Sequence, residues 1–121
     1  MSHNKHRILV VEDNAHIREM IFICLSKKGY FITQAHNGDQ ALTIIKNKYD
    51  IALIDIQMPG INGIETLSLI KSKQPSIKSI IMSANLSPSY IFEAMAKGSD
   101  AVMNKPFEVS ELYDLIEDLL M

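Results

Sequence analysis

Ile51-Ala52-Leu53-Ile54-Asp55-Ile56-Gln57-Met58-Pro59-Gly60 decides how the chain is read. Four apolar residues run without a polar interruption, stop on a carboxylate, and are followed by a Pro-Gly break. A strand with one wet face alternates apolar and polar residues, so an unbroken run points to a strand covered on both faces. Upstream, Ile8-Leu9-Val10-Val11 has the same form and ends in Glu12-Asp13. Downstream, residues 77–82 read as a fourth strand, ending at Ser83. Residues 101–104 make a short strand that leads into Lys105-Pro106. Residues 30–35 read as a more polar strand.

Helical patterns fill the gaps. Asn14 is placed to cap a helix whose apolar stripe is Ile17, Met20, Ile21, Cys24 and Leu25, spaced i, i+3, i+4, i+7 and i+8. Gly29 stops it. Asn37-Gly38 reads as a turn. Ala41, Leu42, Ile44 and Ile45 then make a short helix. Asn62 followed by Glu65 resembles a capping box for a helix through Lys73, ended by Pro75. Ser87-Pro88 opens a helix that Gly98 closes. Leu112, Leu115, Ile116, Leu119 and Leu120 form the stripe of a last one. Strand and helix alternate five times. That is the pattern of an α/β fold with a five-stranded parallel sheet, doubly wound with five helices.

The chain has 121 residues, 47% apolar and 21% charged, which suits one globular domain able to bury its own core. A net charge of −2 offers no basic field for direct nucleic-acid or anionic-membrane binding. No apolar run is long enough to span a bilayer. The lone Cys24 allows no internal disulfide and falls in an apolar stripe. A cytoplasmic protein is expected, with residues 1–6 as a flexible leader and 7–121 as the domain. All twelve Lys and Arg lie at or before Lys105. After it come Glu108, Glu111, Asp114, Glu117 and Asp118. These read first as the solvated face of the last helix, and second as a docking face for a basic partner.

Sites in open parallel sheets form beyond the carboxyl ends of the strands. Those ends carry Glu12 and Asp13, Asp55, Ser83 and Lys105. Each alone is an ordinary loop residue; together they are a constellation. Three carboxylates on neighbouring strands would repel one another, and a hard divalent cation with oxygen ligands relieves that. Mg2+, which keeps several waters, suits the count. Lys105 and Ser83 offer an ammonium and a hydroxyl to a phosphoryl group's oxygens from the opposite side. His16 and His36 lie near strand ends, but no second His or Cys stands at metal-ligand spacing.

Four motifs in order resemble the response-regulator receiver domains of two-component signalling, including the chemotaxis regulators. They are Arg7-Ile-Leu-Val-Val-Glu-Asp-Asn14, Asp55-Ile-Gln-Met-Pro-Gly-Ile-Asn-Gly63, Ser83-Ala84 and Lys105-Pro106-Phe107. The resemblance implies a flavodoxin-like sheet of order 2-1-3-4-5. It implies that Asp55 accepts a phosphoryl group from a phosphohistidine on a sensor histidine kinase or phosphotransfer protein. Asp13, Asp55 and the Gln57 carbonyl would hold Mg2+, with Glu12 acting through a metal-bound water. Lys105 would pair with the phosphoryl oxygens, Ser83 would move to them as the switch, and the Lys105–Pro106 bond would be cis. Gln57 and Asn85, each two residues past a site residue, would flank the hydrolytic water and tune the lifetime. The chain would catalyse only its own phosphoryl transfer and dephosphorylation. Its output would pass to an unknown partner or fused domain, with room for a phosphorylation-dependent dimer.

Two departures stand out. The acidic pair is Glu-Asp where Asp-Asp is commoner. Val102 stands where many relatives carry an inward-swinging Tyr or Phe. Tyr90, Phe92 and Tyr113 are candidates to replace that aromatic on the face of helix four, strand five and helix five, with Phe92 read as core packing and helix four as the expected mover. Among other functions, a haloacid-dehalogenase-type phosphatase would need an acid where Gln57 stands. A flavodoxin's phosphate site would be repelled by Glu12 and Asp13. A binding-only pseudo-receiver would not keep all five site positions filled.

Overall fold

The computed structural model describes residues 6–56, 60 and 62–121. The chain runs β1 Arg7–Val11, α1 Ala15–Lys27, β2 Phe31–Ala35, α2 Gly38–Ile44, β3 Ile51–Asp55, α3 Gly63–Lys73, β4 Lys78–Ser83, α4 Pro88–Ala96, β5 Ala101–Asn104 and α5 Val109–Leu120. The five strands are parallel and lie in the order β2-β1-β3-β4-β5. This is the sheet expected from the motifs.

The strand alternation explains the two apolar layers. Leu9, Val11, Ala52, Ile54 and Ile81 point to one face and pack with Ala41 of α2, Leu67 and Ile70 of α3 and Ala94 of α4. Ile8, Val10, Ile51, Leu53, Ile80 and Met82 point to the other, against Ile21 and Leu25 of α1 and Leu112 and Ile116 of α5. Because both faces are covered, β1 and β3 have no wet side, and their runs are apolar throughout.

Helix starts follow the cap residues. The side chains of Asn14, Asn62 and Ser87 accept from the backbone N–H groups of Ile17, Glu65 and Tyr90. Each satisfies a donor that the first helical turn leaves unpaired. Asn37-Gly38 behaves differently from the expected turn. Asn37 is the N-cap of α2, its side chain accepting from Gln40 N at 2.7 Å, and Gly38 is the first helical residue. Asn is as good a cap as a turn former, and here the helix needs the cap. Gly29 and Gly98, with φ of 91° and 109°, end α1 and α4 as expected. His6, placed by sequence in the leader, is tied to the sheet: its carbonyl accepts from Phe31 N at 3.0 Å. Its ring also packs beside Tyr30.

Candidate functional site

The register brings the site together. Val11 pairs with Ile54, so the next residues, Glu12 and Asp55, lie side by side at the carboxyl end of the sheet. Asp55 pairs with Met82 and Ser83 with Asn104, which puts Ser83 and Lys105 at that end too. Carboxylate oxygens of Glu12, Asp13 and Asp55 all lie within 4.8 Å of one another. Glu12 is wholly buried and Asp55 is only 4% exposed, whereas Asp13 faces solvent. Together with Asn14, Ile17, Ala84, Lys105 and Pro106 they line an open cleft of about 460 Å3.

A buried acid cluster of this kind needs compensation. Lys105 supplies part of it. Its Nζ lies 2.7 Å from Glu12 Oε1 and 3.3 Å from Asp55 Oδ2. The ammonium is therefore inside the acid cluster, not across from it as the sequence suggested. The contact with Glu12 is a charge contact, off the line of a well-formed hydrogen bond, so Oε1 keeps unused acceptor capacity. Glu12 Oε2 accepts from Asn14 N at 3.1 Å. The Lys105–Pro106 bond is cis.

Ser83 is fully buried, and its Oγ accepts from the Asn85 backbone N–H at 3.0 Å. The Ser83 hydroxyl thus holds the first turn of the loop that leads to α4. Two features of the site were not singled out from the sequence. Arg18 on α1 donates from Nη1 to the Glu12 carbonyl at 2.8 Å. Gly63 opens α3 in direct backbone contact with the end of β3, where a Cβ would fall 2.2 Å from the Asp55 carbonyl oxygen. Gly63 stood within the acceptor motif, but only three-dimensional proximity shows why it is glycine. Arg18 gave no signal, since an Arg on a helix reads as solvated.

The donor set fits Mg2+. All three candidate ligands are hard carboxylate oxygens, the cluster opens on one side to solvent, and a buried acceptor on Glu12 is incompletely used. Among the described residues no other group of three His, Cys, Asp or Glu side chains converges in this way. His16 and His36 are exposed. Gln57 lies outside the described residues, as do Met58 and Pro59.

The model of the response regulator receiver domain matches residues 8–117. The chain belongs to that family. This receiver domain is 36% identical over 115 residues to the sporulation initiation phosphotransferase F of Bacillus subtilis, covering 94% of this chain and 93% of that protein. It is 36% identical over 108 residues to the uncharacterized transcriptional regulatory protein YrkP of the same organism, covering 89% of this chain but 46% of YrkP. The receiver spans about half the length of several curated relatives. Among solved structures it resembles a CheY-like receiver domain protein of Methanospirillum hungatei, with 28% identity, a TM-score of 0.93 and coverage of 96% of this chain and 94% of that one. It also resembles TrrA of Thermotoga maritima in complex with Mg2+ and BeF, with 35% identity, a TM-score of 0.84 and coverage of 94% and 98%.

The aromatic candidates separate. Phe92 is 77% exposed, so it is not core packing: the face of α4 that carries it is not covered by the sheet or its neighbours. Tyr90 is also exposed, near the start of α4. Tyr113 does not belong to that face at all. It packs in the layer of α1 and α5, where its hydroxyl donates to the Cys24 carbonyl at 2.9 Å and the Lys28 ammonium lies 4.5 Å from its ring centre. Val102 is half-buried against the α2–α4 layer.

Proposed function

We propose that this receiver domain takes a phosphoryl group onto Asp55 from a phosphohistidine of a sensor histidine kinase or phosphotransfer protein. The convergence of Glu12, Asp13, Asp55 and Lys105 at one end of the sheet carries the reading. A carboxylate is ionised near neutral pH, with a reference pKa of ~3.9, and needs no base to act as nucleophile. An Asp55 oxygen forms the new bond to phosphorus, and the phosphorus–nitrogen bond breaks with the electron pair leaving on the imidazole. Asp13 and Asp55, with the Gln57 carbonyl, would hold Mg2+, and Glu12 would reach it through water. When bound, the ion supplies positive charge that offsets the crowded carboxylates and the phosphoryl oxygens. Lys105, already within reach of Asp55, pairs with one phosphoryl oxygen, and Ser83 hydrogen-bonds another. Asn85 and Gln57 carry neutral amides that orient a water without acting as bases, so spontaneous dephosphorylation is slow to moderate.

The readout runs through Ser83. Ser83 Oγ accepts from Asn85 N, so when the hydroxyl moves to donate to the phosphoryl group it draws residues 84–87 and the start of α4 at Ser87 with it. Tyr90 moves with that turn, in place of the aromatic that Val102 cannot supply. Amide shift mapping with and without beryllofluoride tests this. Changes concentrated in residues 84–98 and α5 support it. Changes confined to the loops after Asp13 and Asp55 contradict it and place the output surface on α1.

The proposed output is a partner protein, a second copy of the domain or a domain fused to it. No direct contact with nucleic acid or membrane is proposed. Among the described residues no helix is long and apolar enough to cross a membrane. The proposed place of action is the cytoplasm.

A further inference from the structure

Asp13 is an exposed carboxylate with no hydrogen bond or ion pair to any described residue. Nothing on its side chain fixes it over the cleft, so its direction is set by its backbone. That backbone is held from one side. Glu12 N donates to Ala35 O at 3.0 Å, the last link between the β1 end and β2. Beyond it the chain turns away, and the Glu12 carbonyl has left the sheet ladder. A half-buried carbonyl without a partner is costly. Arg18 fills the gap, donating to it at 2.8 Å from the second turn of α1. Arg18 N in turn bonds to Asn14 O at 2.9 Å, and Asn14 N to Glu12 Oε2. The chain from Glu12 to Arg18 is therefore a closed ring of bonds, and the Glu12–Asp13 peptide is its clamped edge.

We propose that Arg18 is a positioning residue for Asp13, acting through the Glu12 carbonyl. It fixes the plane of the Glu12–Asp13 peptide and so aims the Asp13 carboxylate at the divalent-cation site. The inference rests on the reading of Asp13 as a metal ligand. A guanidinium suits the task because its planar fork is rigid, while an ammonium in its place falls one bond short of Nη1.

The test is calorimetric titration of Mg2+ into the domain, wild type and Arg18→Met, Arg18→Lys, Asp13→Asn and Asp13→Asn/Arg18→Met variants, with thermal unfolding of each in chelator. Groups that orient metal ligands typically change affinity by 10–100-fold. Arg18→Met is expected to weaken Mg2+ about tenfold, and Arg18→Lys less. In the Asp13→Asn background, Arg18→Met is expected to cost no further affinity, because the group it aims is gone. Equal loss with and without Asp13 overturns the proposal. So does a fall in unfolding temperature with Mg2+ affinity unchanged, which marks a purely structural bond. Full recovery in Arg18→Lys overturns it too, in favour of a charge effect. If Asp13→Asn leaves Mg2+ affinity intact, the metal-ligand reading fails and the inference with it. If only the Arg18 variants are silent, the inference alone fails. Should Arg18→Met not fold, Arg18→Lys carries the same comparison.

Discussion

The Lys105 ammonium sits closer to Glu12 than to the acceptor: 2.7 Å from Glu12 Oε1 against 3.3 Å from Asp55 Oδ2. Glu12 is wholly buried, so its carboxylate meets this lysine away from solvent. Lys105 is thus the resident counter-ion of a buried acid as well as the proposed ligand for the incoming phosphoryl group.

Removing that ammonium has two consequences of opposite sign. Lys105→Met leaves the wholly buried Glu12 carboxylate without its counter-ion. Breaking one side of a buried pair typically costs 3–5 kcal/mol. Since Lys105 keeps 13% of its side chain exposed, the lower end, about 3 kcal/mol, is expected in chelator by urea unfolding. The same loss of positive charge makes the cleft more attractive to Mg2+. Calorimetry should show affinity rising on the order of tenfold, while phosphorylation slows. Weaker Mg2+ binding in Lys105→Met would show that the lysine does not oppose the cation.

Gly63 locks the acceptor strand to α3. A Cβ there would meet Asp55 O at 2.2 Å and Ile56 Cα at 2.5 Å, both backbone atoms that have no easy retreat. Gly63→Ala is expected to destabilise the domain by about 1–3 kcal/mol, the usual range for overpacking. Its amide shift changes should centre on residues 54–56. Shifts confined to α3 would mean that the helix yields and the acceptor strand does not.

Two tyrosines set an alkaline limit. Burial pushes the Tyr113 hydroxyl above its ordinary value, with a smaller contribution from Cys24, and burial pushes Tyr30 the same way, assisted by Glu117. A raised folded-state value favours the protonated phenol. Its stabilisation is complete below the unfolded value of ~10 and is lost as pH rises through the folded value. Thermal unfolding between pH 8 and 11 should therefore show a midpoint that falls on the alkaline side. Tyr113→Phe and Tyr30→Phe should each flatten that fall. An alkaline slope unchanged in both variants would assign it to other groups.

Most of the fold was legible because periodicity and punctuation agreed. The apolar runs of β1 and β3 mark strands covered on both faces, and Asn14, Asn62 and Ser87 stand at the caps they were expected to make. The candidate site was legible because strand-end residues are fixed by the sheet. Once β1, β3, β4 and β5 pair in register, Glu12, Asp55, Ser83 and Lys105 must converge. What escaped was orientation around a helix and contact between distant backbones. Tyr113 turned toward α1, Phe92 turned to solvent, and the fit of Gly63 against Asp55 depends on how α3 docks. Arg18 escaped because its partner is a carbonyl, which has no side-chain signature.

Everything proposed for the site depends on Asp55 being the phosphoryl acceptor. Intact-mass measurement after incubation with acetyl phosphate and Mg2+ tests it most directly, on the wild type and on Asp55→Asn. One phosphoryl group per wild-type chain is expected, removed by hydroxylamine or mild alkali as an acyl phosphate is, and none on Asp55→Asn. A phosphoryl group that persists in Asp55→Asn, or that survives hydroxylamine, would contradict it.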